Sequence, residues 1–191
     1  MSEWKLKRGS MRLYNLTAKS YDEQYAEEQR AKIENALKSL KIDDHSLILD
    51  CGCGTGLLFE YVAKKADIVI GLDISKNILA EAKRRAKAFG NVGLVLADAD
   101  YPPFKDDVFS HVFAVTLLQN MPDPHRTLAE ICRVAEENAY IVVTGLKKKF
   151  SLKVFKSLLF KLGLNVIEIS NGNDSLKCYV ATCKKSNHHQ I

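Results

Sequence analysis

The chain has 191 residues, 47% of them apolar and 27% charged, a balance that excludes a disordered or fibrous polymer and suits one core of ordinary size. No apolar run approaches the roughly 20 residues of a membrane span, and the N-terminus lacks a signal-peptide core, so a soluble, cytoplasmic protein with no membrane partner is expected. The formal net charge of +5 permits an anionic partner, but a lysine-rich solvated surface accounts for it more simply.

In chain order, Tyr14, Tyr21 and Tyr25 punctuate a polar stretch and suit half-buried packing positions, since each ring carries a polar tip. From Glu27 to Leu40 the apolar residues Ile33, Leu37 and Leu40 recur at helical spacing and predict a helix docked on a sheet. Leu47-Ile-Leu-Asp50 is short and apolar, as expected of a strand buried on both faces of a parallel sheet. Gly52, Gly54 and Gly56 follow as a turn whose residues can take positive φ and admit a ligand close to the backbone. Leu57, Leu58, Tyr61 and Val62 then predict a helix.

A strand, a glycine turn and a helix start suit a nucleotide-like ligand. A dinucleotide fingerprint would need Gly or Ala at position 57, where Leu57 stands, and Asp50 would repel a pyrophosphate. A carboxylate at Asp50 can instead accept from a ligand ammonium group. The run Leu49-Asp-Cys-Gly-Cys-Gly-Thr-Gly56 resembles the first motif of the class I S-adenosylmethionine-dependent methyltransferases, and Lys19-Ser-Tyr-Asp22 resembles the lid segment of their ubiquinone-biosynthesis-like (methyltransferase type 11) branch. The resemblance implies S-adenosylmethionine as cofactor, with Asp50 and the loop Gly52, Gly54 and Gly56 around its amino acid moiety and Tyr21 in an N-terminal lid over it. It also implies a Rossmann-like, doubly wound α/β sheet of seven strands, mostly parallel with an antiparallel C-terminal hairpin strand.

Further along, Asp67 to Asp73 reads as a second strand ending in an acid about 20 residues past the glycine turn. Asp73, followed by Ile74, suits recognition of ribose hydroxyls at a strand's C-terminal tip. Ser75 predicts the N-cap of a helix showing Ile78, Leu79, Ala82, Ala86 and Phe89 and closed by Gly90. Asn91 to Asp98 makes a third strand. In the family resemblance, Asp98 receives the adenine amino group and the Ala99 amide a ring nitrogen, with Asp100 as the competing acid.

Ser110 to Thr116 predicts a fourth strand lying beside the first. Gln119 and Asn120 after it are the candidates for positioning substrate. The Asn/Asp-Pro-Pro-aromatic motif of relatives acting on adenine or glutamine is absent, which disfavours those acceptors, and no cysteine lies directly after the fourth strand's tip to support a covalent carbon-methylating route. Asp123 with Pro124 suits an N-cap and first turn for a helix showing Leu128, Ile131, Cys132 and Ala135, with His125 on the surface. A fifth strand at Tyr140 to Thr144, a helix from Ser151 to Leu162 closed by Gly163, and two strands around an Asn171-Gly172 turn complete the pattern.

The five cysteines lack zinc-type pairing and read as reduced thiols, and no metal site is expected. No repeat or linker divides the chain, so residues 1–191 are expected to form one methyltransferase domain, with 1–40 as lid and docking helix and 41–191 as the cofactor-binding core. The expected chemistry is direct methyl transfer to an O, N or S acceptor. The basic cluster Lys147-Lys-Lys149, Lys153, Lys156 and Lys161, together with the lack of an apolar cap, favours tRNA or another translation component as acceptor. The alternatives are a small-molecule acceptor, or a non-catalytic cofactor-binding subunit. Compact relatives of this kind pair with a small zinc-binding activator protein at an exposed sheet edge, which here would be Asn91 to Ala97.

Overall fold

Ile48 and Leu49 are consecutive residues of strand β1 (Leu47–Cys51), and both are fully buried. Successive strand side chains point to opposite faces, so β1 must carry an apolar layer on each side. Those layers are visible in the computed structural model, which describes residues 3–18, 20–171 and 176–186. Ile48 packs with Ile33, Phe59, Val69, Leu79 and Phe113 on one face. Leu49 packs with Leu72, Val112, Ile131, Ile141 and Phe155 on the other. Full burial of each such side chain contributes about 1.5–3 kcal/mol, so the strands are held by being sandwiched.

The elements are α1 (Glu3–Thr17), α2 (Tyr21–Leu37), β1, α3 (Phe59–Val62), β2 (Ile68–Asp73), α4 (Lys76–Ala86), β3 (Val92–Leu96), β4 (Phe109–Ala114), α5 (Pro124–Val134), β5 (Ala135–Leu146), α6 (Leu152–Lys161), β6 (Leu164–Ser170) and β7 (Cys178–Lys185). They form a seven-stranded sheet of order β3-β2-β1-β4-β5-β7-β6. The pairs β1·β2, β1·β4, β2·β3 and β4·β5 are parallel, and β7 is antiparallel to both β5 and β6. The expected sheet and its reversed C-terminal strand are borne out, β4 lies beside β1, and β3 is an edge.

Local chemistry explains most of the boundaries. Ser75 caps α4, accepting from the Ile78 amide, and Asp123 caps α5, accepting from the His125 and Arg126 amides with Pro124 in the first turn. Gly163, at φ 68°, terminates α6 in the left-handed region. Gly90 is not in that region, so it does not close α4, which ends with Lys87 as its C-cap. Three other expectations are corrected. The docking helix begins at Tyr21 rather than Glu27, the helix after the glycine turn is only one turn long, and Ala135 starts β5 rather than ending α5. The Asn171-Gly172 turn lies outside the described residues.

Gly71, in β2, faces the Phe59 ring: a Cβ there would lie 2.7 Å from Phe59 Cζ and 3.0 Å from Cys53 Sγ and Leu94 Cδ2. Gly71→Val should therefore overpack this layer, lowering stability by about 1–3 kcal/mol and the melting temperature by several degrees in a thermal scan. An unchanged melting temperature would mean that Phe59 moves aside at no cost.

Candidate functional site

In a parallel sheet every strand ends at the same edge, and here that edge collects the acids. β1 ends at Asp50 and Cys51, β2 at Asp73, and Asp98 and Asp100 lie just past β3. The glycine loop after β1 is fastened to the tip of β2. The amides of Gly52 and Cys53 both donate to the Leu72 carbonyl, at 2.7 and 3.0 Å, and the Gly54 amide donates to Asp73 Oδ2 at 3.0 Å. Gly52, Gly54 and Gly56 have φ of 77°, 56° and 78°, values that side-chain-bearing residues rarely adopt. A Cβ on Gly54 would meet nothing within 4 Å, whereas one on Gly56 would run into the Phe59 ring. Gly54 thus opens onto a cleft, and Gly56 serves packing.

That cleft holds about 690 Å³ of space, the solvent at its open mouth included. Tyr21, Gly52, Gly54, Asp73, Ile74, Asp98, Ala99 and Asn120 all line it. Asp50 lies in an adjoining recess shared with Tyr21, Gly52 and Gly54, and Gln119 lines neither. Gln119 Oε1 is buried without a hydrogen-bond partner among the described residues. Asn120 instead donates through Nδ2 to Tyr14 Oη and to the Thr116 carbonyl, both at 2.9 Å.

The cleft is roofed by α1, which is tied to three strand tips. Lys7 Nζ lies 2.8 and 2.7 Å from the two oxygens of Asp98 and 2.5 Å from Asp100 Oδ2. Tyr14 accepts from Asn120 beyond β4. Asn15 Oδ1 accepts from Ser75 Oγ at 2.7 Å and from the Asn77 amide at 3.1 Å. At the other end, Asp22 accepts from Thr55 of the glycine loop at 2.6 Å and pairs with Arg85 at 2.8 Å. Lys7 and Ser10 line the cleft although neither stood out in the sequence, and Tyr14, expected only at a half-buried packing position, lines it with them. Only the apolar-free inner face of α1 could have signalled them, because apolar periodicity does not register a polar contact face.

Electrostatically the site is acidic and short of cations. Asp50 is buried, and among the described residues its carboxyl accepts no hydrogen bond; burial, with Asp73 nearby, raises its pKa to about 8. Asp73 is also raised by burial, although its oxygens accept the Gly54 amide at 3.0 Å and the Ser75 amide at 2.9 Å, with the Ile74 amide also favouring the charged form. Two carboxylate oxygens offer about four acceptor sites, so room remains for a further donor. Burial lowers the pKa of the Lys7 ammonium, but its two carboxylate partners more than offset this and hold it above the usual value. Burial raises the phenols of Tyr14 and Tyr21 as well, so both stay neutral donors near pH 7. An unpaired buried acid beside an acid with free lone pairs suits a ligand with an ammonium group and vicinal hydroxyls.

Residues 49–143, from β1 to β5, match a family described as a methyltransferase domain. Over 133 residues the chain is 34% identical to the demethylmenaquinone methyltransferase of Shouchella clausii, covering 66% of this chain and 56% of that protein. Residues 49–143 thus belong to the methyltransferase-domain family. Solved structures share the fold of this chain. A putative S-adenosylmethionine-dependent methyltransferase from Methanococcus maripaludis superposes with a TM-score of 0.77 at 18% identity, over 93% of this chain and 95% of that one. A chain in the complex between the Haloferax volcanii Trm112 methyltransferase activator and a putative methyltransferase gives 0.75 at 16% identity, over 91% and 97%. The chain spans about half the length of the curated relatives it matches. Among the described residues no group of three His, Cys, Asp or Glu side chains is placed to hold a metal.

The raised pKa of Asp50 makes the stability of the chain pH-dependent. A carboxyl whose folded pKa lies above its ordinary value of 3.8 favours the folded state when protonated, so its contribution is full below about pH 4 and is lost as pH rises to about 8. Asp50→Asn removes that loss. Thermal unfolding of the ligand-free chain should show the variant melting above the parent at pH 8 and the two converging near pH 4. A constant difference across that window would exclude Asp50 as the titrating group.

Proposed function

We propose that this methyltransferase transfers the methyl group of S-adenosylmethionine to an O, N or S lone pair of a small, largely apolar acceptor. The observation that carries the reading is the roof over the cleft. Tyr14 of α1 and Tyr21 of α2 line the cleft together with Val115, Leu117 and Met121, so the chain supplies an apolar lining of the kind whose expected absence had favoured RNA. The Shouchella relative, a demethylmenaquinone methyltransferase, is in keeping with an apolar acceptor.

The residues present fit the cofactor. Asp50 would accept from its ammonium group and the Gly52–Gly56 loop would hold its amino acid moiety. Asp73, flanked by Ile74, would take the ribose hydroxyls on its free lone pairs. The adenine end falls to the Ala99 amide and Asp98, whose oxygens already hold Lys7. When bound, S-adenosylmethionine supplies an electrophilic methyl group on a sulfonium. The protein's part is orientation. Asn120 Nδ2 donates to Tyr14 Oη and Gln29 Nε2 to Tyr21 Oη, at 2.9 and 3.4 Å, which leaves each phenolic proton free to point into the cleft. Two neutral donors and an apolar wall align an acceptor without a strong base, and alignment of this kind can lower a barrier by about 7–11 kcal/mol.

A second reading keeps an RNA acceptor, because Lys148, Lys149, Lys153, Lys156 and Lys161 are all exposed and Lys147 to Lys149 follow β5 at the cleft's edge of the sheet. An activator on edge strand β3, where Leu96 is 58% exposed, would serve either acceptor, and the Haloferax neighbour is a putative methyltransferase in complex with an activator. A cofactor-binding subunit without turnover is a third class, and the free phenolic donors on the acceptor side argue for catalysis instead.

Calorimetric titration tests the cofactor assignment: Asp73→Ala should bind S-adenosylmethionine about ten- to a hundred-fold more weakly, as expected for losing hydrogen bonds to a charged acceptor. Equal affinity, or tight NAD binding in its place, would sink it. Incubation with methyl-labelled cofactor and fractionated extract tests the acceptor, with label expected in the organic-soluble fraction and reduced several-fold by Asn120→Ala. Label in RNA, abolished by reversing the charges of Lys147, Lys148 and Lys149, would establish the second reading.

A further inference from the structure

The outward face of α1 is built unlike that of a surface helix in a soluble protein. Leu6, Leu13 and Leu16 fall at i, i+7 and i+10, one turn-spaced stripe, and are 47%, 58% and 76% exposed. Lys5, Arg8 and Arg12, at i, i+3 and i+7, form a parallel stripe beside it, and all three are exposed. Trp4, 54% exposed, lies one turn before Arg8. The one acid of the helix, Glu3, is turned away toward Arg126, 3.7 Å off. Among the described residues no carboxylate pairs with Lys5, Arg8 or Arg12. The inner face of the helix is committed elsewhere, through Lys7, Tyr14 and Asn15.

We propose that α1 is an interfacial docking helix that lies on an anionic lipid bilayer with Leu6, Leu13 and Leu16 in the headgroup boundary and Lys5, Arg8 and Arg12 against the lipid phosphates. A leucine stripe flanked by unpaired cations, with a tryptophan at the margin, is the chemistry that seats a helix in the plane of a membrane. A nucleic acid would use the cations and leave the leucines in water. A protein groove would cover the leucines but has no need of three cations in a row. No described helix is long and apolar enough to cross a membrane, so the contact is peripheral, and the sequence expectation of no membrane partner is revised to that extent. Fifteen residues make a helix about 22 Å long. Because its other face lines the cleft, docking sets the mouth of the methyl-transfer site at the lipid surface. The proposal is independent of which acceptor is methylated, since vesicle binding reports the outer face of α1 and not turnover.

Trp4 is the single tryptophan of the chain, so its emission reports on α1 alone. The full chain should co-sediment with phosphatidylcholine vesicles containing phosphatidylglycerol, with a blue shift of Trp4 emission that salt reverses, and should stay in the supernatant with phosphatidylcholine alone. Each basic residue near an anionic surface is worth about five-fold in partitioning. The triple variant Lys5→Glu, Arg8→Glu, Arg12→Glu should therefore lose at least a hundred-fold. Leu13→Asn with Leu16→Asn should abolish the blue shift. Both variants alter exposed positions only and should bind S-adenosylmethionine as the parent does, which separates loss of docking from loss of fold. Absence of vesicle binding, equal binding to neutral vesicles, or a Trp4 shift produced by RNA or by self-association without lipid would overturn the proposal.

Discussion

The cleft depends on one carboxylate that does two jobs. Asp73 closes β2 and receives the amides of Gly54 and Ser75, at 3.0 and 2.9 Å, so a single side chain fixes the glycine loop on one side and the start of α4 on the other. The Leu72 carbonyl just before it takes the next two loop amides. The loop's left-handed conformation is therefore imposed by the register of β1 against β2, in which Asp50 stands opposite Gly71. Gly71 has no side chain because Phe59 occupies that space, and Phe59 is the residue beneath which Gly56 must also stay bare. Strand pairing, loop conformation and the first packed layer are one constraint seen at three levels.

Collecting acids at one sheet edge is costly, and the chain offsets the cost unevenly. Asp98 and Asp100 share Lys7, and Asp100 Oδ1 also accepts from Thr127 at 2.5 Å. Asp73 has its two amides. Asp50 has nothing of the kind, and burial pushes it toward the protonated form. The free protein thus holds its strain at the position where a cationic ligand group would relieve it, so a stability deficit and a binding preference sit on the same atom.

How much of this could be read from the residues follows from which interactions leave a periodic trace. Strand tips, the acid spacing from Asp50 to Asp73, and the caps Ser75 and Asp123 are local patterns, and they fix the sheet and most of the cleft floor. The roof left no such trace. In α1 the contact face is polar and the leucines face outward, so a search for buried apolar periodicity finds no helix face to dock. Gln119 and Asn120 were equivalent in sequence, but adjacent residues of a short helical turn point about 120° apart, and only Asn120 meets the cleft. The Lys7 contact spans 91 residues of sequence, and no local rule reaches that far.

The same inversion decides how firmly the roof is held. Lys7 is the only buried residue of α1, whereas α4 buries Ile78, Leu79, Ala82 and Ala86 and α5 buries Leu128, Ile131 and Val134. Hydrogen bonds and ion pairs that exchange against water contribute only about 0.5–1.5 kcal/mol each, far less per contact than a buried leucine. α1 is therefore held with less buried apolar surface than α4 or α5, and two of its attachment points are also cleft-lining residues: Lys7 on Asp98 and Tyr14 on Asn120, with Asn15 on the Ser75 cap beside Asp73. A ligand that competes for any of these partners loosens the roof, and a surface that captures the outer leucines pulls on the same helix from the other side. Access to the cleft and the position of α1 are in this way a single equilibrium, set by a helix that is fastened through its polar face and leaves its apolar face free.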